Sequence, residues 1–271
     1  MNRLPQPRDA DEAESYAVVP GSPESPVILH VPHSSREIPG VVRADILLDD
    51  AALEHELDLI TDGHTALIAD VAASLSRVRP WQFVNRLSRL VVDPERFPDE
   101  REEMLAVGMG AVYTSTTHRE ALRPPDFDPK PLLERYFHPY AQAMTAAVAD
   151  RLAATGRAII LDVHSYPTVR LPYELHGDGP RPPICLGADA FHTPTALLAR
   201  ATEVFGDFGG VGVNSPFVGT YVPLDFYGSD ARVAALMVEI RRDTYMAEPG
   251  GPPGPGMTGP AAALAALITD I

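Results

Sequence analysis

The sequence predicts an α/β protein, a three-layer sandwich around a mixed, mainly parallel central sheet. Three observations carry this. Short, continuous apolar runs alternate with longer stretches of helical periodicity, the pattern of strands covered on both faces by crossover helices. The runs are rich in Val, Ile and Leu and stop at polar or turn residues, as in "RAIILDVHS" and "AALMVEIRRD". The 271 residues, 45% of them hydrophobic, are enough for one large domain with a substantial core.

Residues 1–25, rich in Pro, Ser, Asp and Glu, read as a flexible leader, which leaves 26–271 as a single domain. "PVILHVPHS" is a short buried strand ending at a turn. "DAALEHELDLITDGHTALIADVAASL" places Leu53, Leu57, Ile60, Leu67, Ile68 and Val71 at helical spacing and breaks near Asp62-Gly63, giving two helical pieces. "LSRLVVDPERF" is a second strand candidate, stopped by Asp93-Pro94. "PLLERYFHPYAQAMTAAVADRLAATG" is the longest helical pattern, with Pro131 near its start and Gly156 at its stop. "RAIILDVHS", "PPICLGAD" and "AALMVEIRRD" read as central strands, and "TPTALLARATEVFG" as a helix between them. "EPGGPPGPGMTGP" is a flexible connector and "AAALAALITDI" a closing helix. The glycine clusters "VGMGAVY" and "FGGVGVN" lack dinucleotide spacing and read as turns.

Composition removes several classes of function. A net charge of −15 argues against nucleic acid or an anionic membrane as the main partner, since both require a basic face. The N-terminus has no apolar signal core and no stretch reaches membrane-spanning length, so a soluble cytoplasmic protein is the expectation. Lys130 is the only lysine, which disfavours Schiff-base catalysis; the other cations are arginines, whose planar fork suits carboxylates. Cys185 is the only cysteine, so a metal must be held by His, Asp or Glu. There is no phosphate-cradling Gly-x-x-x-x-Gly-Lys and no Gly-x-Ser-x-Gly elbow. His30 and His33, three apart, would face opposite sides of a strand and should not share one metal.

Four segments place polar residues where apolar runs end: "HVPHSSREIPG", "TDGHT", "DVHSYP" and "MVEIRRDTY". Glu239 stands inside an apolar strand, and a buried carboxylate without a partner costs several kcal/mol, so it has a cation, a metal or a task. Together the segments offer imidazole ligands, a carboxylate ligand and one spare carboxylate. That is the inventory of a hydrolytic zinc site, where three protein ligands leave room for a water and a free Glu moves its proton.

"HSSRE", "DVHSY" and "VEIRRDTY" resemble the zinc carboxypeptidases. "VPHSSREIP", "DGHTALIAD", "SRLVVDPERF", "LDVHSYP", "PICLGADAFHTP" and "EIRRDTYM" resemble, in order, segments of the N-formylglutamate amidohydrolase (deformylase) family, from about residue 27 to 246. The resemblance implies a zinc-peptidase-like (phosphorylase/hydrolase-like) fold and a Zn2+ cofactor. It also implies hydrolysis of N-formyl-L-glutamate, or a related acidic acylamino acid, to formate and the amino acid.

Residue by residue, it implies His33, Asp62 and His164 as metal ligands and Glu239 as catalytic carboxylate. One extra serine displaces Glu37 from the carboxypeptidase position, so Asp62 is the expected third ligand and Glu37 the alternative. Arg89 and Arg96 match the anionic pocket, and Tyr221 could donate to substrate or simply pack. Glu95-Arg96 replaces the Asn-Arg of the better-known deformylases, which bears on substrate identity. Arg86 reads as an ion-pairing residue, His64 as an orienting or helix-surface residue, His138 as structural and Cys185 as buried and inert. The alternatives are a carboxypeptidase or another N-acyl deacylase on the same scaffold, and a catalytically silent metabolite-binding homologue.

Overall fold

The computed structural model describes residues 15–176 and 179–271. Its strands are β1 (Tyr16–Val19), β2 (Val27–Val31), β3 (Trp81–Asn85), β4 (Ala158–Tyr166), β5 (Ile184–Gly187), β6 (Val211–Val213) and β7 (Val233–Arg241). The α-helices are α1 (Gly40–Arg43), α2 (Asp50–Ile60), α3 (Thr65–Leu75), α4 (Lys130–Leu132), α5 (His138–Thr155), α6 (Thr195–Val204) and α7 (Thr258–Asp270). All seven strands form one sheet in the order β1-β3-β2-β4-β7-β5-β6. The pairs β3–β2, β2–β4, β4–β7 and β5–β6 are parallel, while β1–β3 and β7–β5 are antiparallel. The expected mixed, mainly parallel α/β sandwich is what forms.

Strand alternation sorts the core into two layers. Val27, Leu29, Val31, Ile159, Leu161, Val163, Leu236, Val238 and Ile240 face one side, packed with Ile68 and Ala72 of α3, Leu197 of α6 and Leu264 of α7. The opposite residues Ile28, Ile160 and Ala235 pack against Tyr140, Met144 and Val148 of α5. Continuing along that second face, beyond the cover of Tyr140, the following side chains are His30 of β2, Asp162 and His164 of β4, and Met237 and Glu239 of β7. The upper half of one sheet face is thereby left for polar chemistry, at the C-terminal ends of three parallel strands, where sites in such sheets gather.

Three local readings differ. "LSRLVVDPERF" is not a strand; the preceding β3, "WQFVN", takes that place in the sheet. The apolar run instead makes a buried crossing held by turns. The Asn85 carboxamide accepts from Leu87 N and the Ser88 hydroxyl from Leu90 N, while Leu87, Leu90, Val91 and Val92 fill the space beneath. Hydrophobicity reported burial there, and local side-chain hydrogen bonds decided against a ladder. Within the expected leader, residues 1–14 lie outside the described residues, and Tyr16–Val19 is an edge strand paired with β3. "FGGVGVN" contributes the short strand β6 rather than a turn alone.

Candidate active site and metal centre

β2 ends at Val31 because Pro32 has no N–H to continue the ladder. Asn85 Nδ2 donates to Pro32 O at 2.8 Å and Asp62 N donates to His33 O at 3.0 Å, so His33 leaves the strand already joined to the segment that carries Asp62. That segment is the predicted helix break. Thr61 leaves the α2 conformation, His64 adopts φ +64°, and Thr65 Oγ1 donates back to Asp62 O, projecting the Asp62 carboxylate toward the sheet. His164 comes from β4 and Glu239 from β7, in direct register.

The donor atoms converge. His164 Nδ1 lies 3.1 Å from Asp62 Oδ2 and 3.3 Å from His33 Nδ1, and His33 Nδ1 lies 3.7 Å from Asp62 Oδ2. All three residues are buried, and they form a group able to hold a metal ion. A tetrahedral zinc ion with donors at about 2.0–2.1 Å separates them by about 3.3 Å, so the spacing fits a cation of that size. Glu37 is exposed and belongs to no such group among the described residues; Asp62 supplies the third donor position.

Each of the three donors is gripped from behind. His33 Nε2 donates to Asp93 Oδ1 at 2.9 Å, which leaves Nδ1 as the lone-pair nitrogen. Arg242 Nη2 donates to Asp62 Oδ1 at 3.1 Å, turning Oδ2 to the histidines. His164 Nε2 faces Asp162 Oδ2 at 3.1 Å and Glu95 Oε2 at 3.2 Å. Such outer partners fix ligand tautomer and orientation. Asp93 is itself anchored by Arg89 Nη2 at 2.7 Å and the Tyr113 hydroxyl at 2.5 Å.

Electrostatics separate the carboxylates. Burial opposes charge on Asp62, but the neighbouring His164 and His33 rings hold it well below the usual carboxylate range. Burial likewise opposes charge on Asp93, and the Arg89 cation holds it well below that range. Glu239 behaves in the opposite way. Burial pushes it up to about 8, with the fields of His164 and Arg242 only partly offsetting this, and its Oε2 has no hydrogen-bond partner. Two differently tuned kinds of carboxyl in one cleft is the pattern that divides ligand from acid–base roles.

These groups open on a cavity of about 180 Å³, whose wall includes His33, Asp62, Arg89, Arg96, His164, Glu239 and Arg242. The structure therefore brings together six of the seven residues singled out from the sequence. The seventh, Tyr221, lines the neighbouring cleft, where its ring lies 4.7 Å from that of His30. Arg96 keeps the freest cation. Its nearest carboxylates are Asp93 at 3.4 Å and Glu102 at 3.8 Å, and its Nε has no hydrogen-bond partner. His64 turns away to Gly251 O. His30 and His33 fall into different donor groups, yet both rings flank Glu95, because the chain has left the strand at Pro32 and alternation no longer applies.

Sequence reasoning missed Asp93, Tyr113 and Arg242 as site residues. Arg242 stood inside a quoted segment next to the strand end that carries Glu239. Asp93 and Tyr113 lie in irregular chain that no periodicity marks.

Among the described residues, no helix is long and apolar enough to cross a membrane. No curated protein matches the chain significantly. Two solved structures share its fold. An N-formylglutamate amidohydrolase from Ralstonia eutropha JMP134 superposes with a TM-score of 0.80 at 19% identity, covering 95% of this chain and 97% of that one. A gene product from Agrobacterium tumefaciens gives 0.65 at 19% identity, covering 96% and 94%. The sequence profile of N-formylglutamate amidohydrolase matches residues 25–246, and the chain belongs to that amidohydrolase family.

Proposed function

We propose that this chain hydrolyses the amide of an N-acyl acidic amino acid, with N-formyl-L-glutamate as the preferred substrate, using a zinc ion held by His33 Nδ1, Asp62 Oδ2 and His164 Nδ1. The observation that carries the reading is the convergence of those three atoms inside one cavity that Glu239 also lines. The family membership and the name of the Ralstonia relative support the formylglutamate substrate. When bound, the ion supplies Lewis acidity to the amide carbonyl and to an attacking water.

The protein's own groups do the rest. Glu239 takes a proton from water as the oxygen bonds to the acyl carbon. It then returns that proton to the nitrogen as the C–N bond breaks, releasing formate and the free amino acid. Arg96, whose own carboxylate neighbours stand at 3.4 and 3.8 Å, binds a substrate carboxylate. Arg89 and Arg242, committed to Asp93 and Asp62, hold those carboxylates, and the ligands they touch, in place.

The test is a substrate panel on the purified chain with and without zinc, comparing N-formyl-, N-acetyl- and N-succinyl-L-glutamate with dipeptides. Zinc-dependent turnover fastest on N-formyl-L-glutamate is expected. Preference for a dipeptide would move the chain to the carboxypeptidase reading, and no hydrolysis in any arm would leave only a binding role.

A further inference from the structure

Glu95 stands two residues after Asp93 on the turn beneath the site, and the geometry gives it work to do. Its Oε2 lies 3.2 Å from His164 Nε2 and 3.7 Å from His33 Nε2, while Oε1 lies 3.4 Å from His30 Nδ1. The residue is 15% exposed by side chain and sits on the wall shared by the site cavity and its neighbour.

Two carboxylates flank the outer nitrogen of His164, and they are not equivalent. Asp162 divides its oxygens, Oδ1 accepting from His30 Nδ1 at 2.9 Å while Oδ2 accepts from Tyr221 N at 3.4 Å and faces His164 Nε2 at 3.1 Å. Glu95 Oε1 is buried and takes no hydrogen bond, and neither does His164 Nε2. These two unsatisfied atoms lie on facing side chains, and the other Glu95 oxygen, Oε2, is already 3.2 Å from the nitrogen. The backbone presents it for this. Glu95 N donates to Asp93 Oδ1 at 3.2 Å across Pro94, and Asp93 Oδ1 is the oxygen that receives His33 Nε2. One three-residue turn therefore addresses the outer nitrogens of both histidines, Asp93 taking His33 and Glu95 facing His164.

We propose that Glu95 is a positioning residue that clamps the outer nitrogen of His164, completing with Asp93 a paired carboxylate support behind the cation site. The inference rests on reading His33, Asp62 and His164 as that site. Accepting the Nε2 proton fixes the His164 tautomer with its Nδ1 lone pair toward the ion and makes the imidazole a stronger donor. A neutral amide at position 95 fixes orientation more weakly and supplies no charge.

The experiment measures zinc affinity of the full chain by chelator competition, for wild type, Glu95→Gln, Glu95→Ala and His33→Ala. Thermal unfolding of the metal-free forms is recorded alongside. Expected is one zinc per wild-type chain, an affinity loss of about 10–100-fold in both Glu95 variants, and metal-free unfolding temperatures close to wild type, which a purely structural role would not give. Wild-type affinity in both Glu95 variants overturns the proposal. So do two zinc ions per wild-type chain falling to one in Glu95→Gln, since Glu95 would then be a ligand. Zinc affinity that survives His33→Ala defeats the underlying site assignment instead, whatever the Glu95 variants do.

Discussion

His164 and Glu239 are register partners on the parallel strands β4 and β7, so their side chains rise side by side from the same face of the sheet. One offers a ring nitrogen to the donor cluster; the other carries a carboxyl oxygen with no partner. Replacing that carboxyl by its isosteric amide, Glu239→Gln, is expected to lower kcat by about 10²–10⁴-fold, the usual share of a general acid–base group. Zinc content should stay at the wild-type level. Steady-state kinetics with elemental analysis of the same sample checks both, and near-wild-type kcat would remove Glu239 from the chemistry.

The donor set predicts the result of metal removal. Dialysis against a strong chelator should abolish turnover and added zinc should restore it. His33→Ala and His164→Ala should bind zinc too weakly to be rescued at stoichiometric metal, because two remaining ligands do not make a closed site. Activity that is indifferent to the chelator would count against the whole arrangement.

Arg96 is expected to set substrate affinity rather than rate. A charge-assisted hydrogen bond contributes about 1.5–3 kcal/mol, so Arg96→Ala should raise KM for N-formyl-L-glutamate by roughly 10–150-fold with kcat little changed. Arg86→Ala, altering an exposed residue outside the cavity, serves as the control.

Glu239 also makes stability depend on pH in the metal-free protein. Its carboxyl ionises near 4.5 when unexposed to the fold and near 8 within it, so the folded chain binds the extra proton between those values. The contribution is complete below 4.5 and is lost as pH rises through 8, with a slope of about 1.4 kcal/mol per pH unit. Urea titrations from pH 5 to 9 should show wild type losing stability relative to Glu239→Gln. Parallel curves would show that burial does not hold the proton on.

The sheet centre gives a purely structural prediction. Leu161 is fully buried in β4 between β2 and β7, and Leu161→Ala should cost about 2–5 kcal/mol of unfolding free energy. An unchanged urea midpoint would contradict the packing described.

Much of this was legible because strand ends are legible. A continuous apolar run that halts at "DVHS" or contains Glu239 can be read without neighbours, and so His164, Glu239 and the Asp62 helix break were found. What stayed hidden depends on chain crossings. Asp93 was visible only as a stop signal, since nothing in "VVDPERF" says that its carboxylate receives His33, Arg89 and Tyr113 together. Glu95 is likewise only one more acid in "DPERF", and its approach to three imidazoles is a product of the fold. β3 was misplaced by a few residues because the apolar run after it is equally hydrophobic, and hydrophobicity does not distinguish a ladder from a buried turn.

Along the polypeptide His164 stands 102 positions from Asp62 and 131 from His33. No local fragment therefore brings all three donors together before β2 and β4 have assembled, so closing the proposed cation site would follow folding of the sheet. Once loaded, the ion ties the N-terminal third to the middle of the molecule, so free zinc should shift the unfolding of the entire domain as a single unit.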